Sequence, residues 1–192
     1  ASLRSLTAKP DLVIISPNDP KAMDQYVTEC KALGIRYLYD PSQQVVRVSG
    51  EELRHGVEGA HSLFVNKYEF ELLQKHTGMS AEQIIESTGF TVVTLGGEGA
   101  VIYAAGKEHR VPIFPPKEIL DPTGVGDAFR GGFVRAYLLG LDWDLCGKVG
   151  ALAAAYCLET RGPQEHAYTP AEFVARFRQH FDDGGKLNIL AA

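Results

Sequence analysis

The stretch Leu120–Gly140, LDPTGVGDAFRGGFVRAYLLG, decides how this sequence is read. Its second half has apolar residues at helical spacing, and its first half crowds proline, glycine and aspartate ahead of that helix. Gly124 and Gly126 let the backbone take tight or left-handed conformations. The amides of a helix's first turn have no intrahelical acceptor and sit at the positive end of the helix dipole. Together these features make a nest for an anion, and two glycines let a phosphate come close to the backbone. Asp127 falls within the same first turn, where a carboxylate is favoured in its charged form and can accept a proton from a hydroxyl. An anion hole beside a base for an alcohol is the apparatus of phosphoryl transfer. An ordinary helix start explains part of the pattern, with Thr123 as the cap and Asp127 as a favourable first-turn charge. It leaves Gly131 and Gly132 unexplained. These suggest close packing of the helix against another element or a ligand.

Working outward, strands and helices alternate. DLVIIS (11–16) reads as a buried strand, and the segment 18–34 as a helix capped by Asn18 or Asp19 and ended by Gly34. IRYLYD is the next strand and stops at Asp40. A short helix over EELRHGVEGA, a strand SLFVN ending at Asn66, and a helix closed by Gly78 follow. TVVTLGG is a fourth strand running into glycines, and AVIYAAG with HRVPIF reads as a β-hairpin. Beyond Gly124 the pattern is helical, over 124–139, 143–159 and 170–181. The expectation is an α/β fold with a mainly parallel sheet covered on both faces. In such sheets ligands bind beyond the carboxyl ends of the strands. Asp40, Asn66 and the Gly96-Gly97 turn all fall at those ends, which points to one shared cleft.

Composition narrows the classes. The 192 residues are 45% hydrophobic, enough for a core in a single domain over 1–192. A formal net charge of -5 with scattered basic residues argues against nucleic acid or an anionic membrane as a partner. No apolar run approaches a membrane span, and the first residues lack a signal-peptide pattern. Cys30, Cys146 and Cys157 form no Cys-x-x-Cys pair, and the last two sit in apolar helical context as reduced core residues, so a cytoplasmic setting is expected. The six histidines show no metal-ligand spacing. Neither a Walker A loop nor a Gly-x-Gly-x-x-Gly turn between strand and helix is present. A nucleotide is therefore handled by another scheme.

DPTGVGDAFRGG resembles the C-terminal signature of the PfkB, or ribokinase-like, kinases, departing from it only at Val125, where alanine is usual. FVNKYEFELL is similar to that family's Asn-x-x-Glu motif through Asn66 and Glu69, and TLGGEGA to its nucleotide loop. The resemblance covers essentially the whole chain. SPNDPKAM, DPSQQVVRVSGEEL and LETRGPQEHAYT look most like prokaryotic adenosine kinases of the family, with a sugar kinase as the alternative.

The resemblance implies a three-layer α/β/α ribokinase-like fold and transfer of the γ-phosphoryl group of ATP to a nucleoside hydroxyl. Asp127 would take the proton, and the backbone from Gly124 through Val125 and Gly126 to Asp127 would hold the charge on the phosphoryl group. Asn66 and Glu69 would organise Mg²⁺ and its waters, and Thr94, Gly96, Gly97 and Gly99 would line the ATP site. Asp121 and Thr123 would help a K⁺ site, while Gln43, Gln44 and Arg47 would face the substrate. Each has a plainer reading. Asn66 and Glu69 also fit a capping box, the three glycines a simple turn, Gln43 and Gln44 a solvated helix start, and Arg47 an ion pair.

The chain starts where the family pattern is already well advanced. The expectation is that N-terminal strands and the small β lid of that family are missing. Residues 12–15 should then form a strand with an unpaired edge. Such an edge invites pairing, so a homo-oligomer or association with the missing portion is expected. A non-catalytic nucleotide-binding fragment is the remaining alternative.

Overall fold

A computed structural model describes residues 2–191. Its strands are β1 (Val13–Ile15), β2 (Tyr37–Tyr39), β3 (Ser62–Asn66), β4 (Phe90–Thr94), β5 (Ala100–Ala104) and β6 (Lys107–Val111). Its helices are α1 (Pro20–Leu33), α2 (Gly50–Val57), α3 (Lys67–Thr77), α4 (Ala81–Glu86), α5 (Val125–Leu138), α6 (Trp143–Leu158), α7 (Pro170–Phe177) and α8 (Asn188–Ala191). Two compact units divide the chain. One takes in the chain up to Leu95 with Ile102–Glu108, and the other Gly96–Val101 with the chain from His109.

The six strands form one sheet in the order β1-β2-β3-β4-β5-β6. β1 to β4 are parallel, in register Val13↔Tyr37, Leu38↔Ser62 and Leu63↔Thr91. The connections from β4 to β5 and from β5 to β6 are too short for the crossover that parallel pairing requires, so these pairs are antiparallel. Ala105 and Gly106 both have positive φ, 51° and 71°, the mirror-image turn that matches strand twist in a hairpin. The hairpin expected from sequence is therefore present, and β1 is an edge strand with Ile14 exposed.

In the first unit one face of the sheet presents Tyr37, Tyr39, Leu63, Val65 and Val93 to Met23, Val27, Leu53, Leu73 and Ile84 of the four helices. Their pleat neighbours Leu38, Phe64 and Val92 are buried as well. Gly56 of α2 is a fulcrum of this core. Its carbonyl accepts the Tyr37 hydroxyl at 3.1 Å. A Cβ placed on it would lie 2.4 Å from Cζ of Tyr39, a fully buried ring.

The helices begin where their caps dictate. Asp19 caps α1 with Pro20 behind it, and Ser49, Asn66 and Ser80 form reciprocal capping boxes with Glu52, Glu69 and Gln83. The Ser80–Gln83 box starts α4, a helix the periodicity reading overlooked because it is short. Residues 42–46 form a 3-10 turn rather than a helix start.

The second unit is built on α5 and α6. Gly132 of α5 has no room for a Cβ, which would lie 2.8 Å from Ala153 Cβ and 3.0 Å from the Val149 carbonyl oxygen. Gly150 of α6 returns the contact against Phe129 at 2.8 Å. The close packing expected for the glycine pair is thus real at Gly132, whereas Gly131 faces open space. α7 ends at Phe177, earlier than periodicity suggested, and hands over to a turn in which Arg178 forks onto Asp183 with two bonds of 2.9 Å. All three cysteines are free and buried. Burial pushes the Cys30 thiol up to about 11 and Cys146 to about 12, so both are inert packing groups.

Gly56→Ala is expected to lower stability by about 1–3 kcal/mol through overpacking against Tyr39. Urea unfolding checks this, and an unchanged midpoint would contradict the packing. The Arg178 fork and the Leu187 amide hold the Asp183 carboxyl well below its usual range. A folded-state value below the unfolded one stabilises fully above about pH 4 and is lost as the pH falls through the folded value. Denaturation midpoints measured against pH should therefore drop on the acid side. Asp183→Asn should lower stability at neutral pH and flatten that acid limb.

Candidate active site

The mouth of α5 is shaped by backbone geometry before any side chain is considered. Gly124 is the N-cap with φ 81° and ψ 1°, a left-handed conformation that few other residues adopt. No side chain caps the helix. Thr123 therefore is not the cap, because the left-handed residue stands between it and the first turn. Among the described residues, the amides of Gly124, Gly126 and Asp127 find no protein acceptor, while the Ala128 amide closes onto the Gly124 carbonyl at 2.9 Å. Val125 supplies the first helical residue, its amide 3.4 Å from the Pro122 oxygen. A Cβ at Gly126 would meet nothing within 4 Å.

The turn is held from behind. The Asp121 carboxylate accepts the Thr123 amide on one oxygen at 2.8 Å and the Gly162 amide on the other at 2.9 Å. Bonds from Thr123, and then Gly162, hold this carboxyl below the ordinary carboxylate range. Asp121 thus staples the 160–163 segment to the turn, and Pro163 arrives where a Gly124 Cβ would have stood, 2.4 Å from its own Cβ. Cys157 of α6 donates its thiol to the Thr123 carbonyl at 3.4 Å. Burial pushes that thiol up, with the charges of Asp121 and Asp127 adding to the effect.

Asp127 projects from the first turn of α5 with its side chain 70% exposed. Arg130, one turn on, donates from Nη2 to Asp127 Oδ1 at 2.5 Å. Sequence reasoning passed over Arg130, although an acid and a base three apart on a helix face are neighbours. The staple from Asp121 to Gly162 joins residues 41 apart and had no sequence signal.

In the first unit, Asn66 and Thr94 are register partners at the carboxyl ends of β3 and β4. Asn66 Oδ1 accepts the Glu69 amide at 2.8 Å, and Glu69 Oε2 accepts the Asn66 amide at 2.8 Å. The capping-box reading is realised, and it leaves the Asn66 amide nitrogen and Glu69 Oε1 for other work. Gln43 and Arg47 are exposed on the 42–47 segment, and Ser42 ahead of them has a positive φ of 41°. Gln44, in contrast, turns inward. It is 8% exposed and donates to the Asn18 carbonyl at 2.9 Å. Its position is that of a tether, not of an outward-facing contact, because its own Oε1 is buried too.

Gly96, Gly97 and Gly99 belong to the second unit. Gly96 and Gly97 open a 3-10 turn, and a Cβ on either would meet nothing within 4 Å. Gly99 has φ 91° and backs onto the Val111 carbonyl, 2.0 Å from its would-be Cβ. The structure thus brings Asn66, Glu69 and Thr94 together in one unit, and Asp121 through Asp127 together in the other. Among the described residues no cluster of three His, Cys, Asp or Glu side chains could cage a metal. No described helix is long and apolar enough to cross a membrane.

With this geometry in view, the likeness to known proteins is specific. The profile of the pfkB family carbohydrate kinases matches residues 3–170. The chain is 33% identical over 173 residues to the nucleoside kinase of Methanocaldococcus jannaschii, covering 88% of this chain and 56% of that one. It superposes with TM-score 0.88 and 34% identity on the nucleoside kinase of Burkholderia thailandensis in complex with inosine, over 91% of this chain and 58% of that one. A second structure of that kinase is in complex with ADP-inosine. The chain therefore spans a little over half the length of these relatives.

Gly124→Ala is expected to destabilise the second unit by about 1–3 kcal/mol, since it adds left-handed strain and a clash with Pro163. Thermal unfolding followed at Trp143 checks this, and a wild-type midpoint would mean that the 160–163 segment is not seated on the turn.

Proposed function

The chain belongs to the pfkB family of carbohydrate kinases, and from that premise we propose that it carries the phosphoryl-transfer part of an ATP-dependent nucleoside kinase. The observation that carries the reading is the mouth of α5, where unbonded amides of Gly124, Gly126 and Asp127 lie beside an exposed carboxylate. Amides fixed by a left-handed turn cost no reorganisation when charge develops on a transferring phosphoryl group. In the reaction the acceptor hydroxyl gives its proton to Asp127 as its oxygen bonds to the γ-phosphorus. The bridging bond to the β-phosphate breaks, and ADP leaves with the electron pair. Positioning and charge stabilisation supply most of the acceleration in such transfers.

The Gly96–Gly99 turn suits close approach of a nucleotide to the backbone, and Thr94 ends the strand that leads into it. Glu69 Oε1 is a carboxylate oxygen left open by the capping box and suits Mg²⁺ held chiefly by phosphates and water, while the Asn66 amide nitrogen, a hydrogen-bond donor, would serve a phosphate oxygen. Bound there, the ion would neutralise charge on the phosphates. A K⁺ beside the Asp121–Thr123 turn would draw on oxygens of Asp121 and Thr123, since each Asp121 carboxylate oxygen accepts one amide and keeps a further lone pair.

A nucleoside acceptor is favoured over a free sugar by the relatives described as nucleoside kinases and by the one solved with inosine. Gln43 and Arg47 are the exposed polar groups assigned to the substrate, with Gln44 behind them. The open edge of β1 is where a second copy, or further sequence of a longer polypeptide, would add a strand. Three buried free thiols suit a cytoplasmic setting.

ADP release with Mg-ATP and a panel of adenosine, inosine, cytidine and ribose tests the reading. Asp127→Asn is expected to lower turnover by about 10²–10⁴-fold, the range for loss of a general base, with ATP affinity kept. Unchanged turnover in that variant would remove Asp127 from the mechanism. A higher kcat/KM for ribose than for every nucleoside would favour the sugar-kinase alternative.

A further inference from the structure

Among the described residues Asp127 has one side-chain partner, and that partner reaches only one of its oxygens. Arg130 Nη2 meets Oδ1 at 2.5 Å, and Oδ2 is left without a hydrogen bond among the described residues. The two side chains differ sharply in burial, 12% exposed for Arg130 against 70% for Asp127. An exposed ion pair between two mobile side chains contributes little and fixes little. Here one member is anchored. The Arg130 stem and guanidinium are packed away, and burial pushes the guanidinium below its ordinary value, a sign of its desolvation. A packed side chain moves little, so the pair restrains the acid more tightly than its own exposure suggests.

The direction of the restraint matters. Arg130 lies one turn further into α5, whereas the unbonded amides of Gly124, Gly126 and Asp127 lie at its mouth. The arginine therefore holds the carboxylate from the helix side and leaves the other oxygen for a group arriving at the mouth. Asp121, the other acid in this turn, is engaged with the amides of Thr123 and Gly162.

We propose that Arg130 is a positioning residue for Asp127: it grips Oδ1 so that Oδ2 is presented to the acceptor hydroxyl. The inference rests on the reading of Asp127 as the base. A plain helix-stabilising ion pair would alter stability and leave turnover alone. A positioning role alters turnover and leaves ground-state binding alone.

The experiment compares the unsubstituted chain with Asp127→Asn, Arg130→Ala and Arg130→Lys for kcat, KM of nucleoside and ATP, and unfolding midpoint. Arg130→Ala is expected to lower kcat about 10–100-fold, the scale of a misplacement of about 1 Å, with both KM values nearly kept. Arg130→Lys should fall between, because an ammonium keeps the charge but not the planar grip. Guanidine hydrochloride, below denaturing concentrations, should restore part of the turnover of Arg130→Ala and none of Asp127→Asn. The rescue separates positioning from a folding defect. Loss of turnover in Asp127→Asn with unchanged kcat in Arg130→Ala overturns the inference alone. So does a fall in Arg130→Ala that only tracks its unfolding midpoint and resists guanidine. Turnover retained in Asp127→Asn, or absent from the unsubstituted chain, removes the reading beneath it.

Discussion

The contact between Gly124 and Pro163 is the constraint on which the rest of the candidate site depends. A left-handed residue is needed to turn the chain sharply from Thr123 into α5, and Pro163 occupies the volume where any side chain at that position would stand. The Asp121 carboxylate then locks the arrangement by accepting an amide from each side of the contact, Thr123 on the near side and Gly162 on the far side. Buried or half-buried carboxylates that accept backbone amides are among the more rigid devices a loop possesses, because the bonds are charge-assisted and the donors cannot rotate away. With the turn fixed, the amides that follow have no freedom to seek partners within the protein. Their unmet hydrogen-bonding capacity is that of any helix's first turn, and the staple fixes the turn that leads into it.

Rigidity at the mouth of α5 would be of little use if the helix itself could shift. Gly132 and Gly150 prevent that by letting α5 and α6 approach until backbone and ring atoms touch, with Ala153 and Phe129 as the opposing surfaces. Close-packed interiors transmit displacement instead of absorbing it. Cys157 extends the same connection, since its buried thiol reaches the Thr123 carbonyl from α6. Further along, Glu159 at the end of α6 is paired with Arg176 of α7, whose guanidinium also lies over Tyr156 at 4.3 Å and Phe114 at 5.2 Å. The geometry of the α5 N-terminus is in this way referred to a framework of helices and not to a flexible loop.

Much of this was legible in the sequence, and the reasons differ by feature. Strand and helix alternation was plain because the apolar spacing is regular and the caps are strong, as at Asp19 and Asn66. The tight turn into α5 could be read because two glycines within three residues, Gly124 and Gly126, straddle the start of the helix. Thr123 was misread as a cap because capping preference is local, whereas the left-handed Gly124 is imposed by Pro163, far away in sequence. Gln44 was misread for a similar reason. Its polarity suggested the surface, and only the fold reveals an Asn18 carbonyl within reach of its amide. α4 escaped because a six-residue helix offers too few turns for periodicity to register, although Ser80 and Gln83 carried its signature.

The Asn66–Glu69 pair shows how a capping box can leave side-chain atoms of both its residues uncommitted. Each side chain uses one atom for the capping box, Oδ1 of Asn66 and Oε2 of Glu69, and these bonds fix where the remaining atoms point. A carboxylate pinned through one oxygen presents the other at a set position, just as Arg130 leaves Asp127 with one bound oxygen and one open. The same arrangement thus occurs in both units: a helix N-terminus, an acid in its first turn, and one oxygen of that acid held by the helix. In each case the restraint is local, three residues along a single helix, so its geometry survives small movements of everything else. Preorganisation of this kind needs no large interface. It needs a helix whose first turn cannot unwind, and both α3 and α5 meet that condition by different means, one through a capping box and the other through a stapled glycine turn.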